Sequence, residues 1–270
     1  MNQKGIIAPA KLNIGLYVEH TVNKNKSGLH NLITIMTQFF LFHDIIDLTV
    51  TPDSSCSRYS KDKSEIVIKG LENICPSEKS TIYKALTNYM EAANINMKTE
   101  VSVKKNIPLC SGMGGGSSDA GIILRILNNM LGNPMSEEQM MSTGLKTGSD
   151  VCFFIKNHPT AVVSSTGEKV TPIKSRDDLY FRFIRPDREK ISTESAFMLL
   201  DRSGESTVIP HSGELIEMYY KDVADWEFKN SFSFLYETPI IPTDENEKIL
   251  LTGSGPTFFI VGHKCTDKHK

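Results

Sequence analysis

The segment PLCSGMGGGSSDA, Pro108 to Ala120, concentrates the residue types with which a backbone can hold an anion. Gly112, Gly114, Gly115 and Gly116 allow close approach to a ligand and dihedrals closed to other residues, and Gly115 is expected to need both. Ser117 and Ser118 follow. Beyond them Ile122, Ile123, Ile126, Leu127 and Met130 recur at helical spacing until Gly132 and Pro134 end the pattern. A helix therefore opens directly out of the glycines. Its first amides have no intrahelical acceptors and its dipole end is positive, so several N–H groups can converge on one phosphate. The two serines are placed to cap that helix and to offer hydroxyls to phosphate oxygens or a magnesium ion. A plain glycine turn with serine caps would have the same composition, so the segment alone leaves both readings open. It is not a Walker loop, because no Gly-Lys-Ser or Gly-Lys-Thr follows the glycines, and it lacks the last glycine of the dinucleotide fingerprint.

The elements around this segment read as mixed α and β. From Lys11 to Val18, Leu12, Ile14, Leu16 and Val18 alternate with Lys11, Asn13, Gly15 and Tyr17, the pattern of a half-buried strand with Lys11 and Asn13 on the face opposite the apolar row. Leu32 to Ile46 is apolar with mixed period, so strand, helix or both remain open there. Val101 and Val103 predict a strand leading to Pro108. Ser136 with Gln139 three positions on is a capping-box signature for a short helix ending near Gly144 or Gly148. Val151 to Ile155 reads as a compact apolar strand, with Asp150 between Gly148-Ser149 and its start. The pattern weakens beyond Lys156, with turn signals at His158-Pro159 and Arg185-Pro186, and this places a domain boundary there: residues 1–155 and residues 156–270.

Bulk properties exclude several function classes. With 30 basic and 32 acidic residues and a net charge of −2, the chain offers no phosphate-tracking surface for nucleic acid. No apolar run approaches the roughly 20 residues of a membrane span, and Met1 to Gly5 lack the layout of a secretion signal, so a cytoplasmic protein is expected. Cys56, Cys75, Cys110, Cys152 and Cys265 are scattered, without the close pairs of a zinc or dithiol site, and no His-Glu-x-x-His occurs. No side-chain metal cage is expected. Any metal arrives with a nucleotide.

The segment PLCSGMGGGSS resembles the P-x-x-x-G-[LM]-G-x-S-S loop of the GHMP kinase superfamily, whose other signatures appear in order as PAKLN, Pro9 to Asn13, and LTGSGPTFFIV, Leu251 to Val261. The resemblance implies a two-lobed α+β architecture, an ATP-binding lobe and a shortened substrate lobe, with the active site in the cleft between them. Within the superfamily, PAKLNIGL, SGLHNLITIMTQF, the triple glycine before SSDA, TGSDVCFFI and STESAF most resemble the kinases that phosphorylate the 2-hydroxyl of 4-diphosphocytidyl-2-C-methyl-D-erythritol in non-mevalonate isoprenoid precursor synthesis.

Roles follow from that likeness. Pro108, Leu109, Cys110, Ser111, Gly112, Met113, Gly114, Gly115, Gly116, Ser117 and Ser118 would hold ATP, with Mg2+ carried on it. Asp150 matches the catalytic aspartate, the base for the acceptor hydroxyl, and Lys11 the active-site lysine beside it. Asn13, His30, Thr193, Phe197, Gly253, Ser254 and Gly255 would line the site for a cytidine diphosphate-linked sugar alcohol, His30 bonding to cytosine and Phe197 stacking on it. The Gly253–Gly255 turn, before an expected buried strand from Thr257 to Val261, reads equally as a purely structural corner.

The pattern departs from that family in places. Leu29 stands where an aromatic residue usually precedes the histidine, Asn230-Ser231-Phe232 replaces Asn-Asp-Leu, and the stretch from there to Gly253 is short, which predicts a reduced helix. Few residues follow Val261. Another alcohol acceptor, or a nucleotide-binding relative without turnover, is the alternative these departures keep open. A monomer or homodimer is expected.

Overall fold

The computed structural model describes residues 1–19, 30–53, 58–184, 191–204, 208–241 and 243–264. Its strands are β1 (Asn2–Val18), β2 (Leu32–Pro52), β3 (Glu65–Lys69), β4 (Met97–Lys104), β5 (Thr160–Ser165), β6 (Lys169–Pro172), β7 (Leu179–Ile184), β8 (Lys248–Leu251) and β9 (Phe258–His263). Its helices are α1 (Thr81–Ala93), α2 (Gly115–Met130), α3 (Glu137–Thr147), α4 (Val151–Lys156), α5 (Thr193–Ser203) and α6 (Ser212–Tyr220). The chain forms two compact units. The first comprises Met1–Lys11, Gln38–Leu109 and Gly114–His158, the second Leu12–Thr37, Cys110–Met113 and Pro159–Lys270. Because β1 and β2 run through both, no single cut along the sequence separates the units.

In the first unit β2 pairs antiparallel with β4, Leu48 opposite Val101, and β3 lies parallel to β4, Ile68 opposite Val101. Side chains of β4 alternate strictly between buried and exposed, as Val101 and Val103 predict. Its buried row shares one core with Ile82, Leu86 and Tyr89 of α1 and with Ile122, Ile123 and Leu127 of α2. The undecided apolar stretch from Leu32 resolves as the 21-residue strand β2. Helix α3 starts on the predicted capping box, Ser136 Oγ accepting from the Gln139 amide and Gln139 Oε1 from the Ser136 amide.

The expected strand over Val151 to Ile155 is instead helix α4, ended by Asn157 in the left-handed region at φ 55°. All five residues are buried, so no solvent-facing side chain reveals the period, and a short apolar run fits either element. Glycines in the neighbouring helices admit it. A Cβ at Gly121 would lie 2.6 Å from Phe154 Cβ, and one at Gly144 2.6 Å from Ile155 Cδ1.

Strand β1 also departs from expectation. It is buried on both faces from Ala8 to Val18, so Lys11 and Asn13 face protein, not water.

In the second unit the start of β2 pairs with β5, Ile35 opposite Val162, and β5 with β6. Antiparallel β7, β9 and β8 form a separate sheet, in which β9 is the expected strand after Thr257. Leu16, Val18, Ala196, Leu200, Phe232, Leu251 and Phe258 make its core. Between Asn230 and β8 the described residues hold one turn of 3-10 helix, Ser233–Leu235.

Candidate active site

The glycine segment does form a loop that turns into a helix, but its strain falls elsewhere than expected. Gly112 and Gly114 adopt φ of +75° and +73°, whereas Gly115 is the first helical residue and carries no positive φ. A Cβ at Gly112 would lie 2.4 Å from the Thr252 carbonyl oxygen, and one at Gly114 would lie 3.1 Å from Lys11 Cγ and 3.2 Å from its Cε. Both positions favour glycine for backbone angle, Gly112 has no room for a Cβ, and one at Gly114 would crowd the Lys11 stem. Pro108 is half-buried, Leu109 and Cys110 are exposed, Cys110 with φ 52°, and Ser111 and Met113 are buried, with Ser111 Oγ accepting from the Met113 amide.

The serines are not caps. Gly114 occupies the N-cap of α2 without a side-chain bond, and Ser117 and Ser118 stand inside the first turn. Ser118 Oγ, fully buried, donates to the Pro9 carbonyl at 2.6 Å and ties the helix to the PAKLN segment. Helix geometry leaves the amides of Gly115, Gly116 and Ser117 without intrahelical acceptors, while the Ser118 amide already bonds to the Gly114 carbonyl. This end of α2 can receive an anion through backbone N–H groups and dipole alone.

Lys11 lies beneath Gly114. Its Nζ stands 3.4 Å from Asp150 Oδ2, the lysine side chain 3% and the aspartate 29% exposed. Asp150 sits at the start of α4 and bonds to none of its amides through its side chain. A partly exposed carboxylate beside a buried ammonium can take a proton from a hydroxyl while the cation balances nearby negative charge.

A second charged cluster, which sequence reasoning missed, lies close by. Lys105 Nζ pairs with Asp44 Oδ2 and with Asp119 Oδ2 at 2.7 Å, and it is 3.4 Å from the position of a Cβ on Gly115. Burial pushes the Asp119 carboxyl up to about 7, an effect that Lys105 opposes and Asp44 reinforces. Asp119 is part of the SSDA run, but nothing in the sequence pairs it with Asp44.

In the second unit Asn13 is a clasp. Its Nδ2 donates to Thr34 Oγ1 at 3.1 Å and its Oδ1 accepts from the Gly253 amide at 2.9 Å. Asn230, given no role by sequence reasoning, donates from Nδ2 to the carbonyls of Leu251 and Gly253, both at 3.0 Å. Tyr236 Oη donates to the Ser254 carbonyl, and its ring occupies the space of a Cβ on Gly255. The Gly253–Gly255 turn is thus held from three sides, and Gly112 packs against it.

Ser254 Oγ reaches Thr193 Oγ1 at 3.4 Å. One turn along α5, the Phe197 ring lies 5.2 Å from His30 and 4.9 Å from Phe232. His30 does not present a free edge: Nδ1 meets the Glu19 carbonyl at 2.8 Å and Nε2 stands 3.2 Å from Asp201 Oδ1. Gly28 and Leu29 lie outside the described residues. Among the described residues no group of three His, Cys, Asp or Glu side chains could hold a metal ion, and no helix is long and apolar enough to cross a membrane.

Residues 80–158 match the family of GHMP kinases N terminal domain. A 4-diphosphocytidyl-2-C-methyl-D-erythritol kinase of Clostridium beijerinckii is 30% identical over 267 residues, covering 94% of this chain and 89% of the relative. One from Fusobacterium nucleatum is 30% identical over 273 residues, covering 98% and 87%. The crystal structure of a 4-(cytidine 5'-diphospho)-2C-methyl-D-erythritol kinase superposes with a TM-score of 0.58 at 22% identity, over 96% of this chain and 89% of that one, so the fold is shared. With that identity held along nearly its whole length, and with the glycine segment, PAKLN and the Gly253–Gly255 turn each packed against another of the three, the chain belongs to the 4-diphosphocytidyl-2-C-methyl-D-erythritol kinase family of the GHMP kinases.

Proposed function

We propose that this kinase transfers the γ-phosphoryl group of ATP to the 2-hydroxyl of 4-diphosphocytidyl-2-C-methyl-D-erythritol, a step of non-mevalonate isoprenoid precursor synthesis. The observation that carries the reading is the Lys11–Asp150 pair at 3.4 Å, with Lys11 packed under Gly114 at the mouth of α2. Asp150 takes the proton of the acceptor hydroxyl as its oxygen bonds to the γ-phosphorus. The bond from that phosphorus to the β–γ bridging oxygen breaks, and ADP leaves with the electron pair. Lys11 offsets charge at the transferring group. The amides of Gly115, Gly116 and Ser117 orient the polyphosphate.

Magnesium would enter on the nucleotide's own phosphates, where it would neutralise charge. The described residues supply no cage of side chains for it. Thr193, Phe197 and Ser254 support a site for the cytidyl part, with Asn13 and Asn230 holding the adjoining turn. Residues 1–155 then serve mainly the nucleotide and residues 156–270 the acceptor, in a cytoplasmic monomer or homodimer.

One observation favours a second reading. Nδ1 of His30 is taken up by the Glu19 carbonyl and Nε2 stands 3.2 Å from Asp201 Oδ1, which leaves cytosine less to bind and another alcohol acceptor open. ADP release measured with the cytidyl substrate beside mevalonate, homoserine and galactose decides. Release with the cytidyl substrate alone supports the proposal. Release with another acceptor and not this one overturns it, and ATP binding without release in any lane marks a relative without turnover.

A further inference from the structure

Three charged side chains behind the glycine run have no part in the chemistry just described. Asp44, on β2 and fully buried, accepts through Oδ1 from the amides of Asn106 at 2.6 Å and Ile107 at 2.8 Å, and pairs through Oδ2 with the Lys105 ammonium. Lys105 reaches on to Asp119 Oδ2 at 2.7 Å. Ile107 immediately precedes Pro108, where the run begins, and Asp119 lies in the second turn of α2, which the run opens. One ammonium therefore ties the chain before the run to the helix after it.

Electrostatics explains the presence of two carboxylates. A cation next to the first residue of α2 is repelled by the positive end of the helix, and Asp44 and Asp119 together offset that repulsion. Such a network is an expensive way to stabilise a fold, since burial of three charges costs desolvation that apolar packing would avoid. Asp119 Oδ1 is buried with no hydrogen-bond partner among the described residues, so the cluster is not optimised for stability. What it does supply is a fixed distance between Ile107 and Gly115.

We propose that Asp44 and Asp119 are positioning residues for nucleotide binding, acting through Lys105 to hold the two ends of the glycine run so that the first amides of α2 converge on the phosphates. The proposal rests on the kinase reading and deepens it. Its test compares wild type with Lys105→Met, Asp119→Leu, the double variant and Asp44→Asn. For each, KM for ATP, KM for the acceptor, kcat and Tm are measured, with direct titration of an ATP analogue. Each single variant should raise KM and Kd for ATP about tenfold or more, with kcat and acceptor KM within about threefold. The double variant should be no worse than Lys105→Met, because both break one linkage. If Lys105→Met fails to fold with two carboxylates unmatched, the double variant and Asp44→Asn carry the measurement. A fall in Tm with unchanged ATP affinity would show a structural role only and overturn the proposal. So would loss of ATP binding in Lys105→Met alone with both aspartate variants normal, which would mean that the ammonium touches the nucleotide itself. A wild-type chain that bound no ATP would overturn the kinase reading and this one together.

Discussion

Gly114→Ala should damage catalysis through Lys11 rather than through the phosphate cradle. Gly114 holds φ at +73°, and placing a Cβ-bearing residue there costs about 1–2 kcal/mol. The added methyl would lie 3.1 and 3.2 Å from Lys11 Cγ and Cε and 3.5 Å from Phe154 Cε2. Lys11 is 2% exposed, so its stem cannot swing into water and must shift along β1 instead. That shift is transmitted to an ammonium 3.4 Å from Asp150. Misplacement of a catalytic group by about 1 Å can cost about 10²-fold, so a displacement of a few tenths should lower kcat about tenfold. The strain should lower Tm by about 2–8 °C in a chain of this size. Steady-state kinetics against ATP and acceptor, with a calorimetric melt, read both. Gly213→Ala is the control, since Gly213 has no positive φ and nothing within 4 Å of its Cβ position, and it should leave kcat unchanged. A Gly114→Ala enzyme with kcat within twofold and Tm within a degree of wild type would refute the argument.

Further outcomes follow from the same geometry. Asp150→Asn should lower kcat by about 10²–10⁴-fold while ATP affinity, measured by titration, stays near wild type; near-normal turnover would exclude it as the base. Phe197→Ala should raise KM for the cytidyl substrate about ten- to a hundredfold, the equivalent of about 1–3 kcal/mol of stacking, with KM for ATP unmoved, and equal effects on both constants would count against a cytosine platform. Stability should also report Asp119. Its folded carboxyl titrates at about 7 against 3.8 ordinarily, so between those values the folded chain holds a proton that the unfolded chain has released. Stability from this group therefore falls as pH rises through that window, and Asp119→Asn should flatten the Tm profile there; parallel profiles for the two proteins would contradict the assignment.

Sequence alone determined the features that depend on neighbours along the chain. The helix opening from the glycines, the capping box at Ser136, the alternation of β4 and the run of β9 rest on local geometry and side-chain period, which residues close in sequence express directly. The likeness to the GHMP kinases marked Lys11, Asp150 and the glycine segment as belonging together. Tertiary structure decided what depends on distant contacts. Val151 to Ile155 is a helix because Gly121 and Gly144 make room for it, which no local pattern records. The strain sits at Gly112 and Gly114 because Thr252 and Lys11 come down on them, and Ser118 is a tie to Pro9 rather than a cap because β1 passes beneath. Asn13, expected to line the acceptor site, bonds to Thr34 and Gly253, and Nδ1 of His30 meets the Glu19 carbonyl. The Asp44–Lys105–Asp119 cluster joins residues up to 75 positions apart (119 less 44), and a charge gains a buried partner only when the fold removes water from both.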